Sequence, residues 1–115
     1  MSYMLLIVEP QGDRADRSPE DGQALYQRMV DYSRELESRG ILLGVNSLKS
    51  EAVRLNKRDG KASLVDGPFA EAKEFVGGYF LLDCHSIGEA LAWAEQCPAA
   101  DWATIEIREV GPCYT

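Results

Sequence analysis

Apolar residues along this chain fall into two patterns: short unbroken runs, and stripes at spacings of three and four residues. Tyr3 to Val8 is an unbroken run with β-branched members, as expected of a central strand covered on both faces. Pro10 to Arg17 is polar around Gly12 and predicts a loop. Ser18-Pro19-Glu20-Asp21 predicts a helix start: the serine can cap, proline suits the first helical position, and the acids favour the positive end of the helix dipole. Leu25, Met29, Tyr32 and Leu36 then form one apolar stripe, and Gly40 predicts a left-handed stop. Ile41 to Val45 reads as a second strand. Ala52 to Asn56 and Ala62 to Val65 read as a hairpin about Arg58-Asp59-Gly60. Gly78 to Cys84 is a further apolar strand. Ser86-Ile87-Gly88-Glu89 is a capping box opening a helix that should bury Ile87, Ala90, Leu91 and Ala94. Pro98 ends that helix, and Ala103 to Val110 forms the last strand.

The order is strand, helix, strand, extra hairpin, strand, helix, strand. Two helices on one face of an antiparallel sheet make a ferredoxin-like α+β domain, and residues 1–115 form one such domain. The uncovered face matters next. Ile105 and Ile107 alternate with Thr104, Glu106 and Arg108, yet Met4 to Val8 and Tyr79 to Leu82 are apolar on both faces. Apolar centre and polar flanks suit a partner sheet, which predicts a homodimer packed face to face. Glu106, Arg108 and Arg54 are then either paired near that interface or simply exposed strand residues.

Charge narrows the function classes. A net charge of −7 repels phosphate backbones and argues against direct nucleic-acid binding. The basic group Arg54, Lys57, Arg58 and Lys61 reads first as a charged hairpin tip. The apolar run at Met4 to Val8 is too short for a signal peptide, and no run approaches a membrane span. Three widely spaced cysteines form no disulfide framework or zinc pattern, so a reduced, cytoplasmic setting is expected. With one histidine, His85, a transition-metal site is not expected, and Gly77-Gly78 precedes a strand rather than the helix a phosphate loop requires. No cofactor is expected.

The run Asp66-Gly67-Pro68-Phe69-Ala70-Glu71-Ala72-Lys73-Glu74 is left to carry chemistry. Asp66 can bond the turn backbone and Phe69 can plug the core. Alternatively, Asp66 acts as a general base with Lys73 holding an anionic substrate. This run, with Gly77-Gly78-Tyr79, Glu89 to Ala94 before Cys97-Pro98, and Ile105 to Arg108, resembles the DGPF group of the YCII-related proteins. The resemblance covers about residues 3 to 110. It implies a dimeric ferredoxin-like α/β barrel with a cleft between sheet and first helix, bordered by the Asp-Gly-Pro-Phe turn. It further implies suspected enzymes with a histidine on the first helix and an aspartate as acid/base pair, one of them associated with dehalogenation of a chlorinated hydroxyquinol. A regulatory association with sigma factors is implied as well. Here Met29 stands at the histidine's place, and methionine cannot transfer a proton.

Three functional readings follow. In the first, the chain binds a small molecule beside the Asp-Gly-Pro-Phe turn, using Met29, Arg54, Phe69, Lys73 and Tyr79, with a regulatory role in a sigma-factor system. In the second, it is a lyase or hydrolase with Asp66 as base and Lys73 or Arg54 holding an anion. In the third, it is a protein-interaction module with no ligand.

Overall fold

The computed structural model describes residues 1–67, 69 and 71–114. Four strands form an antiparallel sheet: β1 (Ser2–Pro10), β2 (Leu42–Ser47), β5 (Glu74–Asp83) and β6 (Thr104–Glu109), in the order β2-β5-β1-β6. That order, with helices α2 (Pro19–Ser38) and α3 (Ile87–Gln96), is the ferredoxin-like α+β arrangement. The sheet is open, with β2 and β6 as edges, so no barrel closes within the chain. Among the described residues, no helix is long and apolar enough to cross a membrane.

Alternation in β1 sets the two faces. Tyr3, Leu5, Ile7 and Glu9 are buried, while Met4, Leu6 and Val8 are half-buried on the other side. Leu5 lies opposite Phe80 and Ile107, and Tyr3 opposite Leu82, so these residues share the helix-covered face. Tyr32 and Leu36 of α2 and Ala90 and Ala94 of α3 complete the core. The Tyr32 ring meets Phe80 edge-on at 5.2 Å, and its hydroxyl donates to the Trp93 carbonyl at 2.6 Å. Burial of that ring raises the phenol's pKa above its ordinary value.

Local chemistry explains the element ends. The Ser18 hydroxyl accepts from the Asp21 amide at 3.1 Å and caps α2. At the far end Gly40 adopts φ 70, which lets Gly40 donate to Glu37 and Ile41 to Leu36. This pair of bonds is a Schellman stop, available to glycine without a Cβ penalty. Asp59 and Gly60 both take positive φ, the primed turn that suits a two-residue hairpin, and join β3 (Val53–Arg58) to β4 (Lys61–Asp66).

Two expectations are corrected. The segment from Pro10 to Arg17 is not a plain loop: Asp13–Asp16 forms a one-turn helix, α1, which carries Arg14 under the end of β1. In α3 the inward stripe is Ala90, Trp93 and Ala94, followed by buried Cys97 at the C-cap, so Ile87 and Leu91 lie on the flanks and are about half exposed.

β3 and β4 form a separate two-stranded sheet, exposed at every residue. The radius of gyration is 16.0 Å, against about 13 Å for a compact chain of this length. The hairpin is an arm, and it leaves Val53, Leu55, Leu64 and Val65 exposed.

Candidate functional site

A cavity of about 700 Å³ opens between α2 and the sheet. Its floor includes Ile7 of β1 and Phe80 of β5, and the helix side presents Leu25 and Met29. Trp102 lines it as well, following the 3-10 turn Pro98–Asp101. Trp102 is held from outside: the Arg28 guanidinium lies 5.2 Å from its ring centroid and donates to Asp101 at 3.0 Å.

One boundary of the cavity is an ion pair between a buried carboxylate and a partly exposed arginine. Glu9 occupies an inward position of β1 and is 5% exposed. Arg14 grips it with two nitrogens, Nε to Oε1 at 3.0 Å and Nη2 to Oε2 at 2.5 Å. The same guanidinium donates to the carbonyls of Leu48 at 2.7 Å and Gly77 at 3.1 Å and lies over the Phe75 ring. A bidentate grip with further donors spent on carbonyls is the geometry that offsets desolvation of a buried carboxylate. It also ties β1, α1, the end of β2 and β5 together. The neighbouring bulge in β1–β5 falls at Gly77, where a methyl group would collide with the Glu9 carboxylate and Arg14. At Gly78 a methyl would come within 2.9 Å of the Asn46 carbonyl. Both glycines of the Gly-Gly-Tyr landmark therefore answer to close packing.

The predicted site residues divide into two groups. Met29 lines the cavity and is half-buried. Tyr79 lines it too, but the register sets its side chain with Leu6 on the open face, where its hydroxyl accepts from Asn46 Nδ2 at 2.8 Å. Asp66, Arg54, Phe69 and Lys73 are not among the cavity's lining residues. Asp66 ends β4 opposite Val53 and is exposed. Arg54 stacks on Phe69, 3.8 Å from its centroid, so Phe69 packs under the arm rather than plugging the core. Gly67 donates to the Ala52 carbonyl at 2.7 Å and has the Phe69 ring against its α-carbon, which accounts for glycine there. Lys73 is exposed, and its carbonyl accepts from the Gln11 amide at 2.8 Å. Pro68 and Ala70 of the same run lie outside the described residues.

Glu9, Arg14, Arg17 and Trp102 were not singled out from the sequence. A signal existed for Glu9: it continues the inward series Tyr3, Leu5, Ile7, and an acid there needs a partner. His85 is exposed and Cys84 is buried. Burial pushes the Cys97 thiol up to about 11, and it raises Cys84 as well, so neither thiol is primed as a nucleophile. Among the described residues no three His, Cys, Asp or Glu side chains cluster as metal ligands.

The model of the YCII-related domain matches residues 1–113. An uncharacterised protein of Rhizobium meliloti is 30% identical over 106 residues, covering 90% of this chain and 86% of that protein.

Proposed function

The chain belongs to the YCII-related domain family, and we propose that it binds a small molecule in the cleft between α2 and the sheet. The cavity carries this reading: its volume of about 700 Å³ falls within the ~300–1,000 Å³ usual for ligand sites. Its walls are mainly apolar, with a few serines and arginines at fixed places. Met29 sits where the family resemblance places an acid/base histidine, and the exposed Asp66 lies outside the cavity. These two facts favour binding over turnover.

The test is a thermal-shift screen of a metabolite panel against wild type, Met29→Trp and Asp66→Asn. A ligand at about 100 times its dissociation constant adds roughly 2.7 kcal/mol. The shift is expected to vanish in Met29→Trp, which fills the cleft, and to persist in Asp66→Asn. The opposite pattern would move the site to the turn and revive Asp66 as a functional acid.

A second copy of the chain is the proposed cover for the open sheet face. Met4, Leu6, Val8 and Leu81 lie there beside Glu106 and Arg108. Sedimentation equilibrium should return a dimer for wild type and a monomer for Leu6→Arg. A wild-type monomer at micromolar concentration would refute this part.

A further inference from the structure

Accepting that the cleft is the binding site, its charge identifies the class of ligand. The chain as a whole carries −7. The charged residues lining the cavity reverse that sign: three arginines, Arg14, Arg17 and Arg34, against one carboxylate, Glu9. Arg14 and Glu9 neutralise each other, and Arg14 has its remaining donors on the Leu48 and Gly77 carbonyls. Two cations are left over. Among the described residues, neither Arg17 nor Arg34 takes part in an ion pair.

The two are not equivalent. Arg17 is half-buried just before α2, whereas Arg34 is exposed on the rim near the other end of that helix. Arg34 lies along α2 from its start at Pro19, roughly 22 Å up the helix axis, so the two guanidinium groups do not converge on one anion. Arg17 is the better-placed of the two because it is partly out of water. Closing an apolar ligand over it removes more hydration, a cost recovered only if the ligand brings a negative charge. A neutral ligand would strip water from Arg17 without return, and a cationic one would be repelled.

We propose that the ligand is an apolar organic acid, with its carboxylate paired to Arg17 and its apolar body lying along Leu25, Met29 and Trp102. One arginine and one carboxylate match in charge and in fork geometry.

The test uses two fluorescent probes that share one aromatic skeleton: 1-anilinonaphthalene-8-sulfonate, an anion, and N-phenyl-1-naphthylamine, which is neutral. Both are titrated into wild type, Arg17→Gln, Arg34→Gln and Met29→Trp, and octanoate is then used to displace the anionic dye. The wild type should bind the anion about tenfold more tightly than the neutral dye. Arg17→Gln should weaken the anion about tenfold and bind the neutral dye no less tightly than wild type does, erasing the preference; Arg34→Gln should weaken the anion about twofold, as a rim charge does. Met29→Trp should abolish both; if circular dichroism shows that variant unfolded, Ser33→Trp at the same cavity takes its place. Equal wild-type binding of both dyes, or indifference of the anion to Arg17→Gln, overturns the organic-acid proposal while leaving the cleft reading standing. Failure of octanoate to displace the anionic dye also overturns it. Binding that survives both cleft-filling variants, or no binding of either dye to wild type, overturns the cleft reading itself.

Discussion

Two places in this molecule use nearly the same parts. Beside the cleft, Arg14 lies over Phe75 with Glu9 and Gly77 as neighbours; at the foot of the arm, Arg54 lies over Phe69 with Asp66 and Gly67 close in sequence. The arm's stack is the tighter one, at 3.8 Å against 5.0 Å. Yet the cleft group has the greater structural weight. Its acid is buried, and its arginine makes four hydrogen bonds that join segments distant in the chain. The arm's stack puts an exposed arginine over a half-buried ring, where a cation near the surface contributes about 0.5–1 kcal/mol. Residue type and distance do not rank interactions here; burial and the number of segments tied together do.

That contrast can be broken by substitution. Gly77→Ala should cost roughly 3 kcal/mol or prevent folding, because the methyl displaces the ion pair of a buried carboxylate. Gly67→Ala meets only the Ala52 carbonyl at 3.1 Å and the Phe69 ring at 3.3 Å, and should cost less than about 1 kcal/mol. Equal losses in urea unfolding would erase the distinction. The acids supply the next test. Glu9→Gln should lower stability by about 2 kcal/mol, discounted because Arg14 is partly exposed, while Asp66→Asn should stay within about 0.5 kcal/mol.

Alkaline pH sharpens the same divide. Cys97 is buried on the core side, and its thiol is pushed from an ordinary 9.0 up to about 11. The unfolded thiol ionises first, so stability is full below pH 9 and falls as pH rises towards 11, by about 1 kcal/mol at pH 10. Cys97→Ala should flatten that part of the melting-temperature profile; an unchanged slope would contradict the assignment. The smallest effect is expected from Phe69→Ala, about 0.5 kcal/mol globally, with faster hydrogen exchange confined to β3 and β4.

Legibility in the sequence followed how local the controlling physics is. The Ser18 cap, the Gly40 stop and the Asp59-Gly60 turn were readable because each is decided within a few neighbouring residues. The stripe of α3 was misjudged because Ile87, Leu91, Ala90 and Ala94 all satisfy helical periodicity, and only contact with the sheet selects among them. In the candidate site, Met29 was legible from its place on the α2 stripe. Arg14 was not, since a charged residue in a polar segment gives no hint of a partner on a strand.

By itself the chain determined its strands, its two long helices, their caps and hence the ferredoxin-like order, since periodicity and turn chemistry act over one or two turns of backbone. The tertiary structure alone decided that Asp66 ends an exposed arm while the cavity opens against Glu9, Arg14 and Arg17. The reason is that burial and pairing are properties of surfaces brought together from Glu9, Arg14, Leu48 and Gly77. No local pattern records which of those surfaces will meet.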